Sequence, residues 1–400
     1  MSHEPLVSVI MPAYNAAAFI RAAIASALAQ TYSNLEVLVV DDGSTDATPH
    51  IVAEIAQQDA RVKLLQQPNG GVAHARNFAI EHARGEFIAP LDADDLWMPT
   101  KIASQVAAMQ EGGPEVGLVY TWWLAIDEAG AIVDAGAQWD VAGRVLEALI
   151  YCNFIGNASV PLFRRDALKQ VGYYDPQLRA QNAQGCEDWD ITLRVAERYE
   201  IHCVLAYLSC YRNVSGSMAK NCDTMAKSHE LVIQALYDRH PHLPVEVSRW
   251  SRGLLLLWLT GLSYHEGNYR DSLRLSLRLL RTDPAAIFSL WVLQTLFRSA
   301  LWLLFGPFTL RLWPDRKQYA FWKRDWRVRI KRAPYGRHVG MSSDATDFSS
   351  LALSPAELGS TPVLPKHSKP FAWSPRWWLQ YDRICLRRWK SLTKPSSPYA

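Results

Sequence analysis

The chain has 400 residues, 49% of them hydrophobic and 20% charged, enough for a packed core and too apolar for a disordered protein. Its formal charge of +3 conceals a segregation: residues 1–240 hold 17 Lys and Arg against 29 Asp and Glu, and residues 241–400 hold 25 against 10, so a −12 part is joined to a +15 part. A basic second part calls for an anionic partner, membrane phospholipid or nucleic acid. The six cysteines are scattered without a CxxC pair, which argues against a zinc site or a disulfide framework and for reduced thiols in the cytosol. The opening MSHEPLVSVIMP lacks a basic segment followed by a long apolar run, so no secretory signal is expected.

Short apolar runs at Leu6–Met11, Leu35–Val40, Val62–Leu65 and Phe87–Leu91 have the composition of strands buried on both faces. Helical patterns at Ala17–Gln30, Thr48–Gln58 and Gly71–Ala83 separate them. The alternation predicts an α/β fold with a mainly parallel central sheet flanked by helices, and such sheets bind ligands beyond the carboxyl ends of their strands.

Polar clusters sit at those ends. The first strand runs into Pro12-Ala13-Tyr14-Asn15, the second into Asp41-Asp42-Gly43-Ser44-Thr45-Asp46 and the fourth into Asp92-Ala93-Asp94-Asp95. A turn with a helix cap at Ser44 or Asp46 explains part of the second cluster, but two consecutive aspartates exceed what a cap requires. For the fourth, two readings stand: Asp95 caps a helix opening near Pro99, or the clustered carboxylates hold a hard divalent cation, Mg²⁺ or Mn²⁺. No GxGxxG comes after the first strand and no Walker lysine is present, which disfavours a dinucleotide site and a phosphate-cradling loop.

The runs VSVIMPAYNA, VLVVDDGSTDAT and NGGVAHARNFAIEHARGEFIAPLDADD resemble the family-2 glycosyltransferases of the A-type nucleotide-diphospho-sugar transferase fold, over roughly residues 5–240. The resemblance implies that Pro12, Tyr14 and Asp42 surround the nucleoside of a nucleotide-diphospho-sugar donor and that Arg76 belongs to the donor site. It places Asp94 as the direct metal ligand, with Asp92 near the ribose or the metal. A carboxylate can accept from a base N–H, and a tyrosine ring offers a face to stack on.

Past a helix at Lys101–Gln110 come strands at Val116–Ile126 and Ala131–Asp134, then a helix near Val141–Tyr151. Gly185-Cys186-Glu187-Asp188-Trp189-Asp190 opens an amphipathic run through Ala196, and acidic residues in a first helical turn are in part explained by the helix dipole. The resemblance makes Asp188 the catalytic base toward a hydroxyl acceptor, a glycan or lipid-linked sugar, with inversion at the anomeric carbon. It leaves Glu187 to orient the loop or bind the acceptor, and Trp189 is expected to offer a sugar platform. Tyr211–Met218 resembles a segment that closes over the diphosphate, with Arg212 as its cation. His74, His202 and His229 show no ligand spacing and read as structural or surface residues.

Beyond residue 240 helices dominate. Trp258–Tyr264, Gly267-Asn268-Tyr269 and Asp283-Pro284 have the spacing of one tetratricopeptide hairpin. Ala285–Phe308 is a mostly apolar run interrupted by Arg298, which fits an interfacial or monotopic helix better than a spanning one. Arg311–Arg332 mixes nine basic residues with Trp313, Tyr319, Phe321, Trp322 and Trp326, and Phe371–Trp389 repeats the theme after a Ser- and Pro-rich stretch. The expected division is a catalytic domain over 1–240, a helical region over 241–310 and a basic, Trp-rich, partly disordered tail over 311–400. The tail suits an anionic membrane surface on the cytoplasmic face, with nucleic acid the disfavoured partner. Competing readings are a catalytically silent sugar-binding scaffold and a nucleotidyltransferase.

Overall fold

The computed structural model describes residues 4–214, 221–305 and 381–392. Its first half alternates strands β1 (Val7–Ala13), β2 (Leu35–Asp41), β3 (Val62–Gln66) and β4 (Phe87–Pro90) with helices α1 (Ile20–Leu28), α2 (Thr48–Gln58) and α3 (Val72–His82), in the expected order. Helix α1 begins at Ile20 rather than Ala17 for a local reason. The backbone N–H groups of Asn15, Ala16 and Ala17 donate to Ser44, Thr48 and Asp46, which lace the β1–α1 loop to the β2–α2 turn.

Strands β1 to β4 are parallel, in the order β3-β2-β1-β4, and the sheet continues through β8 (Leu162–Arg164), β6 (Val116–Ile126), β9 (Glu200–Arg212) and β5 (Leu96–Trp97). β6 and β9 are parallel to each other. β8 joins β4 and β6 antiparallel, and β5 and β7 (Ile132–Ala135) are antiparallel additions to β9 and β6. Side chains of β1 and β2 alternate between two cores, as strands buried on both faces require. Val9, Met11, Val37 and Val39 pack with Ile24, Val52, Ile102 and Val106, whereas Ile10, Leu38 and Val40 pack with Ala75, Ala79 and Ile80.

Helix α4 (Lys101–Glu111) comes after β5. The helix expected near Val141–Tyr151 forms only over α5 (Leu146–Tyr151). Residues before it are drawn toward the sheet, since Val141 N–H donates to the Tyr120 hydroxyl and Gly143 exchanges two backbone hydrogen bonds with Ile201. Then come α6 (Arg165–Val171), α7 (Gln177–Ala180), α8 (Glu187–Ala196) and α9 (Cys222–Arg239).

Helices α10 (Val245–His265) and α11 (Tyr269–Thr282) form the expected hairpin, and Asn268 caps α11 by accepting from Asp271 N–H. The apolar run 285–308 is not one helix. Pro284–Phe288 forms a 3₁₀ turn, Ser289 accepts from Val292 N–H, and α12 covers Leu290–Phe305, 16 residues. Among the described residues no helix is long and apolar enough to cross a membrane. The last described element, α13 (Tyr381–Leu392), packs into the core that continues from the sheet through α8, α9 and α10. The basic stretch 311–332 lies outside the described residues.

Candidate active site

The register of the parallel strands decides where the polar clusters meet. Ala13 of β1 lies beside Asp41 of β2, and Ile10 of β1 lies beside Pro90 of β4, with Leu91 N–H donating to Ile10 C=O. The β1, β2 and β4 carboxyl ends therefore form one edge, carrying Pro12 and Tyr14, Asp41 and Asp42, and Asp92, Asp94 and Asp95. Tyr14 is 54% exposed there, its ring free to stack on a ligand.

Asp42 is expected to grip a nucleoside, but most of its carboxylate is engaged within the protein. One oxygen accepts from Gln67 Nε2 and Gly70 N–H, both at 2.7 Å, and the other from Gly71 N–H at 2.8 Å. Its backbone oxygen accepts from Asn69 Nδ2. A carboxylate offers about four lone-pair sites, so one acceptor position remains for a ligand. Asp42 thus closes the 67–71 loop, from which α3 springs. Gly71 has φ +91°, a backbone conformation that favours glycine, whereas the 2.7 Å approach of a Cβ to Arg179 Cδ could be relieved by the flexible arginine side chain.

Arg76, on the first turns of α3, is 4% exposed and pairs with Asp92 at 2.6 Å, with its guanidinium 5.2 Å from the Tyr174 ring centroid. Burial opposes its charge, but Asp92 and then Asp188 more than offset this and hold its pKa above the ordinary value. Its Nε is buried with no partner among the described residues, an orphaned donor of the kind a bound anion would satisfy.

The three carboxylates after β4 have three environments. Asp92 pairs with Arg76, and its N–H donates to Ser159 Oγ. Asp94 is pushed up to about 6 by burial and then by the charge of Asp92. Asp95 is fully buried, accepts from Ser159 Oγ at 2.6 Å and from Arg212 N–H at 2.8 Å, and is raised well above the usual range by burial. Asp95 is therefore not a helix cap; α4 starts at Lys101 with no side-chain cap. Arg212, expected to face a diphosphate, is 5% exposed and braces this loop by donating to the backbone oxygens of Asp94, Asp127 and Glu128.

Helix α8 supplies the other wall. Asp188 is partly buried and accepts from Trp189 N–H at 2.7 Å. Burial lifts it to about 7, with Glu187 and Asp92 adding to the rise and Arg76 opposing it. Glu187 turns back to accept from Gly185 N–H and so fixes the loop entering α8. Trp189 faces away: it is 4% exposed, donates from Nε1 to Leu149 C=O and stacks on His229 at 4.7 Å between centroids. The sugar-platform expectation is corrected accordingly. A helix turns about 100° per residue, so Trp189 points away from the direction of Asp188, into the core.

Asn153, Ile155, Asn157, Tyr174 and Thr192 gather closely beside Asp188, leaving no cavity large enough for a water molecule between them. Asn157 was not anticipated; in sequence it reads as an ordinary turn residue. Its Oδ1 accepts from Ser159 N–H, while Nδ2 is buried without a partner, a second orphaned donor beside the proposed base.

With this geometry in view, residues 8–128 match the family described as Glycosyl transferase family 2. Over those residues the chain is similar to glycosyl transferase family 2. An uncharacterized glycosyltransferase of Rickettsia felis (strain ATCC VR-1525 / URRWXCal2) is 39% identical to this chain over 271 residues, 68% of the chain and 43% of the relative. The UDP-Glc:alpha-D-GlcNAc-diphosphoundecaprenol beta-1,3-glucosyltransferase WfgD of Escherichia coli is 50% identical over 105 residues, 26% of the chain and 41% of the relative. The chain spans less than half the length of the curated relatives it matches first. The crystal structure of S. aureus TarS residues 1–349 in complex with UDP superposes with a TM-score of 0.50 at 19% identity, covering 74% of this chain and 88% of that one, and shows the shared fold.

The inward placement of Trp189 has a measurable consequence. Trp189→Ala should destabilise the domain by roughly 3–5 kcal/mol, as for other buried tryptophans, with nucleotide affinity retained below the unfolding transition. Denaturant titration and calorimetry check this; lost sugar affinity at unchanged stability would restore the platform role.

Proposed function

We propose that the chain is an inverting, metal-dependent hexosyltransferase that moves a sugar from a nucleotide-diphospho-sugar, UDP-linked, to an acceptor hydroxyl in polysaccharide, glycolipid or glycan synthesis. The observation that carries the reading is the cluster of Arg76, Asp92, Asp94 and Asp188 at one sheet edge, with its orphaned Arg76 Nε. Similarity to the family and the fold support the same chemistry.

Asp188 takes the proton of the acceptor hydroxyl as that oxygen bonds to the anomeric carbon. The bond from that carbon to the diphosphate oxygen breaks, and the nucleoside diphosphate leaves with the electron pair. Asn157 donates to an acceptor oxygen and aligns it, Tyr14 stacks on the base, Asp42 accepts from a base N–H with its remaining position, and Arg76 orders Asp92 and receives phosphate oxygen at Nε.

Among the described residues no three acidic, Cys or His side chains gather around one point. The Asp92–Asp94 pair fits a cation that keeps water and donor-phosphate oxygens as its other ligands, since it would replace their repulsion by attraction. Such a Mg²⁺ or Mn²⁺ ion would be held by Asp94 and Asp92 and would supply charge neutralisation for the leaving diphosphate.

Two variants separate the roles. Asp94→Ala should abolish metal-dependent UDP binding in calorimetry with Mn²⁺, whereas Asp188→Asn should bind UDP normally and lose turnover by about 10²-fold or more. Unchanged UDP affinity in the first, or wild-type turnover in the second, would remove that residue from its role. Because the base must be ionised and burial lifts Asp188 to about 7, kcat/KM should drop with falling pH through an acid limb near 7 and level off above it.

An exposed apolar and basic surface on the helical part supports action at a membrane surface. Phe288, Phe297, Leu304 and Phe305 stand exposed along the 3₁₀ turn and α12, and Arg270, Arg278 and Arg281 are exposed on the neighbouring α11. Apolar side chains beside arginines complement an anionic lipid surface, each cation adding up to about 1 kcal/mol. A peripheral or monotopic attachment at the cytoplasmic face would bring the cleft to a lipid-linked acceptor, the class printed in the name of WfgD. The chain should sediment with vesicles containing phosphatidylserine, less so at high salt, and Phe297→Asp with Leu304→Asp should release it. Equal sedimentation with and without acidic lipid, or no effect of the substitutions, would contradict this attachment.

A further inference from the structure

The tail helix α13 carries Trp389, expected from sequence to meet lipid headgroups, yet Trp389 is 7% exposed and enclosed by protein. Its ring lies 4.6 Å from that of Trp139, 6.0 Å from Phe154 in an edge contact and 6.4 Å from Tyr151. One turn earlier the Tyr151 hydroxyl donates to Cys385 C=O. Arg388 forks onto Asp283, NH1 to Oδ2 at 2.5 Å and NH2 to Oδ1 at 3.0 Å, with both side chains largely buried and the guanidinium 4.8 Å from the Trp250 ring centroid. Bidentate pairing, aromatic packing and a backbone hydrogen bond all fix one seat for α13, against α5 and the helical hairpin.

That seat adjoins the segment that leads to Asp188. Tyr151 immediately precedes the 152–159 segment and Phe154 lies within it, and the segment carries Asn157 beside Asp188, and Ser159 to Asp92 N–H and the Asp95 carboxyl. Gly156 in this segment has φ +105°, and a Cβ on it would meet Trp123 Nε1 at 2.3 Å, so the turn has no slack on its far side. We propose that α13 is an intramolecular clasp whose Trp389 and Arg388 are positioning residues: by filling the Trp139–Tyr151–Phe154 pocket they set the 152–159 segment, and through it the acceptor-binding Asn157. The inference rests on the transferase reading for its effect on acceptor use, not for the clasp itself.

Hydrogen exchange and kinetics on the full chain separate the two. Trp389→Ala should speed exchange in 152–159 and leave β1 to β4 unchanged, with UDP affinity retained. Acceptor kcat/KM should fall by between about tenfold and 10²-fold, as for a catalytic group displaced by a remote substitution. Trp389→Phe should recover most of both properties, and a synthetic 381–392 peptide added to Trp389→Ala should restore protection of 152–159. Arg388→Gln should loosen the same segment to a lesser degree. Unchanged exchange in 152–159 would overturn the clasp; normal acceptor kcat/KM despite faster exchange would overturn its positioning role. Absence of any transfer by the wild type, with the exchange pattern as expected, would fault the transferase reading and leave the clasp standing.

Discussion

Three carboxylates within four residues at the end of β4 set the constraint to which the surrounding structure answers. Left together in a half-buried loop they repel one another, and each is accommodated differently. Asp92 has the Arg76 guanidinium, Asp95 has the Ser159 hydroxyl and the Arg212 N–H, and Asp94 has no such partner in the described contacts and is raised to about 6. The chain neutralises or sequesters two of the three and presents the remaining charge at the sheet edge where a ligand would approach.

Those accommodations reach far in sequence and tie the two halves of the sheet domain together. Ser159 precedes β8, Arg212 ends β9, and Arg76 rises from a loop that Asp42 closes at the end of β2. Arg76 also feels Asp188 and lies over Tyr174, so the carboxylates after β4 and on α8 share one cation. A change in charge at Asp92 is therefore felt at Asp188 through the same guanidinium. Behind α5, α13 extends the chain of contacts to the last described element.

Much of this was legible in the sequence where local rules suffice. Thr48–Gln58 and Val116–Ile126 form with the expected boundaries, because a proline at the helix start and a long apolar run leave little choice. The aspartate clusters were legible because consecutive carboxylates exceed what turns and caps require. Features that depend on side-chain direction or distant partners were not. Asp42 gives three of its acceptor positions to a loop 25 to 29 residues away, and Arg212 turns its guanidinium onto the backbone oxygens of Asp94, Asp127 and Glu128 rather than toward a diphosphate. Trp189 could have been placed by helical phase against Asp188. Asn157 left no local signal, since its orphaned amide exists only once the chain has folded beside Asp188. Trp389 looked interfacial because arginine and tryptophan together suit lipid, but the same pair suits an aromatic pocket with a buried aspartate beside it.

Whether Asp188 and the Asp92–Asp94 pair act on opposite faces of one anomeric carbon is read most directly from the product. Transfer from an α-linked UDP-sugar to a hydroxyl acceptor, followed by proton NMR of the anomeric signal from the first turnovers, should show only the β-linked product. An α-linked first product would require a second nucleophile in the cleft and would contradict a single displacement driven by Asp188.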